Sequence, residues 1–154
     1  MGSDSISGRV LAIDFGSKRM GLAVSDALGL TAQGLPTLER VRRQDDLRRI
    51  QELAEEYSVE RVIVGNPLGH GGGETEMSHR AAKFADELQR QVSCPVELWD
   101  ERLTSVEAHR SLREAGLSLR KRQAAVDRVA ATLLLQSYLD FQGQKAARER
   151  GAGP

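Results

Sequence analysis

Three acidic residues occupy positions where a carboxylate needs a partner or a ligand. Asp14 ends an apolar run of strand-forming residues, and Glu101, directly after Asp100, ends another. Ligand sites in α/β sheets are commonly built at such strand ends. Asp127 lies within a predicted helix whose same face is apolar, so its side chain is predicted to point toward the sheet. The residues that share this face are Ala124, Ala130, Ala131, Leu134 and Tyr138.

Each acid taken singly could be structural, paired with a neighbouring base such as Arg102 or Arg128. Carboxylates brought within ~5 Å of one another would repel by roughly 3 kcal/mol per pair at an effective dielectric constant of about 20. Such a cluster must hold protons or a divalent cation. Because all the ligand atoms would be oxygens, Mg²⁺ or Mn²⁺ is preferred over zinc or copper.

The elements that must position these acids are predicted from apolar periodicity. Three strands come first, and the turn between the first two predicts a hairpin. A Thr104–Glu107 capping box opens a later helix that ends at Gly116. The predicted strands are 9–14, 20–25, 31–38, 61–65 and 96–100, and the predicted helices are 45–57, 77–92, 104–116 and 119–141. This order favours an α/β domain with a five-stranded mixed sheet, a three-strand antiparallel meander plus two parallel strands, flanked by helices.

The composition excludes several classes of protein. The 154 residues carry 22 basic and 22 acidic side chains, and this balance excludes a histone-like binder that coats nucleic acid through bulk charge. The single cysteine, Cys94, excludes an internal disulfide and fits a cytoplasmic location. No apolar run reaches the length of a membrane span, so no membrane partner is expected. Residues 1–8 are predicted to be a flexible leader, 9–142 the folded domain and 143–154 a flexible tail.

Four motifs occur in order along the chain. They are Asp14-Phe-Gly-Ser-Lys-Arg-Met-Gly21, Val64-Gly-Asn-Pro67, Asp100-Glu-Arg-Leu-Thr-Ser105 and Asp127-Arg-Val-Ala-Ala131. Together they resemble the motifs of the YqgF family, bacterial RNase H-like proteins described as Holliday junction resolvases or pre-16S ribosomal RNA nucleases. The resemblance extends from about Arg9 to Phe141. The opening motif is shared with actin-like ATPases and sugar kinases, but those proteins close two such domains around a nucleotide and this chain has room for one.

The resemblance implies an RNase H-like fold in which Asp14, Glu101 and Asp127 are the catalytic, metal-binding carboxylates, with Mg²⁺ or Mn²⁺ as the cofactor. The implied reaction is metal-assisted hydrolysis of phosphodiester bonds. Related junction resolvases carry a further acid one turn earlier on the last helix, where this chain has Ala124. Whether one or two ions bind stays open, as does whether Asp100 replaces or assists Glu101.

Four basic residues flank the proposed ligands and are candidates for contacts with nucleic-acid phosphates. Lys18 and Arg19 follow Asp14 in the hairpin turn, and Arg102 and Arg128 adjoin the other two acids. Alternatively, Lys18 and Arg19 are solvent-exposed turn residues without a binding role. Arg102 and Arg128 would then be internal counter-charges to the neighbouring acids.

The expected substrate is structured RNA, at the 5′ end of pre-16S ribosomal RNA, with ribosome-assembly intermediates as possible partners. One alternative is a Holliday junction resolvase, for which a two-fold homodimer is expected because the junction needs two symmetric cuts. Another is a non-catalytic nucleic-acid-binding module. The sequence does not decide between a monomer and a homodimer.

Overall fold

The computed structural model describes residues 8–66, 73–100 and 119–151, with side chains in the last segment from residue 125 onward. Five strands and three helices are described. The strands are β1 (Arg9–Phe15), β2 (Arg19–Ser25), β3 (Ala32–Glu39), β4 (Val59–Asn66) and β5 (Val96–Asp100). The helices are α1 (Arg43–Glu56), α2 (Glu76–Gln89) and α3 (Leu119–Arg150).

The five strands form one mixed sheet in the order β3-β2-β1-β4-β5. β1 pairs antiparallel with β2, and β2 antiparallel with β3, which completes the predicted meander. β4 and β5 then extend the sheet parallel to β1. The predicted five-stranded mixed sheet is therefore confirmed, and the carboxyl ends of β1, β4 and β5 lie at the same edge.

One face of the sheet packs against α1 and α2. Leu11, Ile13 and Phe15 of β1 point to this side and meet Ile50 of α1 and Phe84 of α2. Both helices are amphipathic, so their apolar stripes cover the sheet while their charged faces stay in solvent. This layer is the larger part of the core, and it fixes the strand ends from one side.

The other face packs against α3. Val10 and Ala12 of β1 meet Ala131 and Leu134 of the helix, and further contacts come from β2 and β4. The chain is buried from both sides at the centre of β1 and β4, where Val10–Ile13 and Val62–Val64 are fully inaccessible. That result agrees with the continuous apolar runs that predicted these strands.

The last helix is longer than predicted. The sequence predicted an end near Phe141 and a flexible tail over 143–154, whereas α3 continues to Arg150. The added residues are mostly good helix formers, and extending an existing helix carries no nucleation cost, so solvent-exposed turns persist without apolar periodicity. The leader residues 1–7, the segment 67–72 and the predicted helix 104–116 lie outside the described residues. Among the described helices, none combines the length and apolar character needed to cross a bilayer.

Candidate active site

Asp14 lies at the carboxyl end of β1 on the α3 side of the sheet. Successive side chains of a strand alternate between faces, and Val10 and Ala12 of β1 point to α3, so Asp14 follows them on the same face. The register pairs Asp14 with Gly21 of β2. Asp14 is half-buried, between the buried residues Ile13 and Phe15.

Asp127 lies on the stripe of α3 that faces the sheet. Ala131, Leu134 and Tyr138 continue this stripe and are fully buried, as the helical spacing predicted. The carboxylate of Asp127 is 17% exposed. Asp127 therefore belongs to the helix–sheet interface, although its carboxylate keeps some contact with solvent.

Gly21 of β2 is a neighbour of both acids. A Cβ atom placed on Gly21 would overlap the backbone carbonyl of Asp127, so only a glycine lets α3 approach β2 this closely. Because Gly21 is also the strand partner of Asp14, the same residue touches the helix at Asp127 and pairs with the strand at Asp14. Asp14 and Asp127 are therefore both neighbours of Gly21 at the carboxyl edge of the sheet.

Arg19 of β2 binds Asp127 directly. Its Nε atom donates to Oδ2 of Asp127 over 2.9 Å, and the two residues are 108 positions apart in the chain. The guanidinium is 30% exposed, so one side of the pair reaches solvent. The sequence placed Arg19 in the turn as a phosphate contact, whereas the structure gives it an internal carboxylate partner.

The turn that precedes Arg19 is held by an ion pair that sequence reasoning missed. Arg40 Nε lies 3.1 Å from Oδ2 of Asp46, whose side chain is 1% exposed. Arg40 also donates from Nη1 to the carbonyl of Gly16 over 3.0 Å, and its backbone N–H donates to the carbonyl of Lys18 over 2.9 Å. Its guanidinium stacks 4.6 Å from the ring centre of Phe15. Asp45 and Asp46 are adjacent residues of the same type, so the sequence does not indicate that Asp46 is buried while Asp45 is partly exposed.

The third predicted acid, Glu101, and its neighbour Arg102 lie outside the described residues. Asp100 is described, and it lies on the opposite side of the sheet from Asp14. Val96 of β5 packs toward α1 and α2 while Trp99 packs toward α3, so the alternation puts Asp100 with Val96. Within the described part of the chain, no three potential metal ligands form a cluster.

The remaining basic candidates differ in their surroundings. Lys18 is exposed at the tip of the hairpin turn. Arg128 is exposed on α3, and its aliphatic stem lies over Gly34 of β3, where an added Cβ would come within 2.5 Å of Cγ. Gly34 and Gly21 therefore have the same role: each lacks a side chain where α3 packs closely on the meander, at Arg128 and at Asp127 respectively.

A second polar group lies at the opposite end of the α3 interface. Arg61 Nη1 donates to the Tyr138 hydroxyl over 3.2 Å and lies 3.4 Å from Oε1 of Glu97. Burial, followed by hydrogen bonding to Glu97, raises the pKa of Tyr138 to about 12. Trp99 packs edge-on against Tyr138 at 5.0 Å. These contacts fix the middle of α3 and so the position of Asp127 three turns earlier.

The donor set at the carboxyl edge suits a hard cation. Asp14 offers carboxylate oxygens from β1 and Asp127 from α3, and Gly21 of β2 is a neighbour of both residues. Asp127 already binds one cationic group, the guanidinium of Arg19. Oxygen ligands of this kind favour Mg²⁺ or Mn²⁺. With Glu101 outside the described residues, two of the three expected ligands can be placed.

The sheet order, the helix placement and an acid at the carboxyl end of the central strand define an RNase H-like α/β domain of the resolvase type. Thermus thermophilus RuvC, solved in complex with a Holliday junction substrate, superposes with a TM-score of 0.57 at 19% identity, covering 88% of this chain and 96% of RuvC. The fowlpox virus resolvase, solved with Holliday junction DNA, gives a TM-score of 0.52 at 12% identity, covering 86% of this chain and 97% of the resolvase. These similarities concern the fold.

The chain belongs to the RuvX family, described as Holliday junction resolvase, which matches residues 8–141. This match confirms the resemblance to YqgF, an alternative name for the same family. A relative from Koribacter versatilis, named "Putative pre-16S rRNA nuclease", is 46% identical over 90% of this chain and 91% of its own length. A relative of the same name from Moorella thermoacetica is 46% identical over 88% of this chain and 97% of its own length.

Proposed function

We propose that this protein is a divalent-metal-dependent nuclease that hydrolyses phosphodiester bonds in structured RNA, at the 5′ end of pre-16S ribosomal RNA. The observation that carries the proposal is the packing of Asp127 against Gly21, the strand partner of Asp14. The names of the relatives support the RNA substrate. The single cysteine supports a cytoplasmic setting, where such a substrate is made.

Asp14 and Asp127 would hold Mg²⁺ or Mn²⁺, with Glu101 as the third ligand. The chemistry that such a cation supplies when bound is activation of water and stabilisation of the leaving oxygen. The protein's own part is positioning. Gly21 sets the distance between β2 and α3, and Arg19 orients the Asp127 carboxylate through its bond to Oδ2.

Strand alternation argues against Asp100 as the third ligand. Trp99 of β5 packs toward α3, and residues two apart in a strand share a face. Asp100 follows Trp99 and therefore belongs to the face of α1 and α2, away from Asp14. We therefore assign the third carboxylate to Glu101 and give Asp100 no role as a ligand.

The test is cleavage of labelled RNA carrying the 5′ boundary of 16S ribosomal RNA in the presence of Mn²⁺. We expect Asp14→Asn and Glu101→Gln to abolish cleavage while binding and the unfolding midpoint are retained. Asp100→Asn is the matched control, because it removes a neighbouring charge on the other side of the sheet and should keep activity. Cleavage that survives Asp14→Asn refutes the proposal.

A second candidate function is Holliday junction resolution. The family description and the two junction-bound structural neighbours favour it. The same acids would serve, so the substrate distinguishes the two functions: a four-way DNA junction would be cut at two symmetric positions by a two-fold dimer. Symmetric nicking of a junction by a dimer, with no cleavage of the RNA, would favour this candidate over the first.

A further inference from the structure

The loop between β3 and α1, residues 40–42, is locked against the hairpin turn that follows Asp14. Arg40 binds the carbonyls of Gly16 and Lys18 from its side chain and its backbone, respectively. Asp46 holds the same loop from the helix side, because it pairs with Arg40 and its Oδ1 accepts from the backbone N–H of Val41 over 3.2 Å. Turn and loop therefore form one rigid unit at the carboxyl edge of the sheet.

Five arginines cluster in and after this loop, and one of them differs from the other four in its contacts. Four of them bind acceptors within the protein: Arg40 on Asp46, Arg43 on Glu87, Arg48 on Asp45 and Arg49 on the Glu39 carbonyl. Arg42 is exposed, and within residues 8–66, 73–100 and 119–151 it has no acidic partner. The same holds in those ranges for Lys18, on the other half of the unit.

Arg42 also occupies a position that its side chain does not suit. It is the N-cap residue of α1, with extended backbone angles and no side-chain cap hydrogen bond. Ser, Thr, Asp or Asn would satisfy a free amide there, and a cation at this end opposes the helix dipole. A residue that breaks a local rule beside a candidate site points to a role in binding.

We propose that Lys18 and Arg42 form a rim that binds the sugar-phosphate backbone of the substrate beside the scissile bond. This inference rests on the proposed nuclease function and adds its substrate-binding surface. Because the backbone that carries these two cations is fixed, only their side chains must be ordered when they meet phosphates. Phosphate contacts set the register of a nucleic acid on a protein. The rim lies at the carboxyl edge of the sheet, the same edge at which Asp14 ends β1.

The test compares binding and stability for Arg42→Ser in the full-length chain. Affinity is measured on an RNA hairpin over a series of salt concentrations, in an Asp14→Asn background that keeps the substrate intact. We expect the affinity to fall about five- to eightfold at 0.1 M salt and the salt slope to drop by ~0.7–0.9, the amount for one lost phosphate contact. The unfolding midpoint should rise, because serine is a better N-cap. A structural role for Arg42 would lower that midpoint instead.

Arg90→Ser is the matched control. It removes the same charge from an exposed arginine at the end of α2, paired with Asp86 and near the opposite edge of the sheet. We expect its salt slope to equal that of the parent. In the active enzyme, Arg42→Ser should raise KM with little change in kcat, since the contact is made equally in ground and transition states.

An unchanged salt slope for both Arg42→Ser and Lys18→Ala overturns the rim, even where the parent cleaves RNA. If the two variants have a smaller salt slope but the parent protein cleaves no RNA, the rim is supported and the nuclease proposal alone is refuted. Equal losses for Arg42→Ser and Arg90→Ser would mean that the binding follows overall charge, and would also overturn the rim.

Discussion

Gly21 and Asp127 are in van der Waals contact through the bare backbone of β2 and the carbonyl of α3, with no room for a Cβ atom between them. The contact sits beside Asp14, which pairs with Gly21 across the hairpin. Since the obstacle is backbone and not a flexible side chain, a methyl group there must displace the whole helix.

Gly21→Ala should therefore lower the free energy of unfolding by about 1–3 kcal/mol, the usual cost of overpacking. It should also abolish cleavage, because the helix carries Asp127 away from Asp14. Gly143→Ala is the control within the same helix, since nothing lies within 4 Å of its added Cβ. That change should stabilise the protein by up to about 1 kcal/mol. Urea denaturation of the two variants measures both effects, and equal stabilities would contradict the close approach.

The Arg19–Asp127 pair should contribute about 1 kcal/mol to stability. Its side chains are 30% and 17% exposed, between the weak pairs of open surfaces and the strong pairs of interiors. A double-mutant cycle of Arg19→Met and Asp127→Asn, followed by urea denaturation, measures the coupling. A coupling energy near zero would mean that the pair does not hold α3 to β2.

Asp46→Ala should cost about 3 kcal/mol or more. It leaves the guanidinium of Arg40 and the amide of Val41 without their buried acceptor. The adjacent Asp45→Ala is the control, because Asp45 is partly exposed and its ion pair is with the exposed Arg48. Its cost should stay below ~1 kcal/mol. Similar costs for the two neighbours would show that the loop is not held by Asp46.

Stability should fall at high pH through Tyr138. Its folded-state pKa is raised to about 12, chiefly by burial, against about 10 for an exposed tyrosine. The folded state thus holds the phenolic proton more tightly than the unfolded chain, and this contribution is complete below pH ~10 and is lost as the pH rises toward ~12. Tyr138→Phe should lower the free energy of unfolding by about 1 kcal/mol near neutral pH, because Arg61 loses one of its two acceptors. Its stability should then decline less between neutral and alkaline pH than that of the parent, as urea midpoints at the two pH values can show.

The pattern of apolar residues along the sequence was sufficient to predict the strands of the sheet and the direction in which Asp127 points. The continuous apolar runs in β1 and β4 predicted strands buried on both faces, and the helical spacing around Asp127 predicted a stripe turned to the sheet. Such patterns report burial, and burial determines which face of an element points inward.

Sequence patterns could not predict which side chains pair with one another in the folded protein. Arg19 and Asp127 meet only because two elements far apart in sequence pack together, and nothing near either residue specifies the other. Asp46 and Asp45 are indistinguishable until the helix is placed on the sheet. The exposed end of α3 was missed because solvent-facing turns leave no apolar period to detect.

The acidic pair is contributed by the first strand and the last helix of the described fold, with the meander and both crossovers between them. Asp127 can therefore pack beside Asp14 only after a ribosome has synthesised all of these elements. A shorter nascent chain lacks the proposed pair of metal ligands, so the proposed cleavage must wait until α3 has been made.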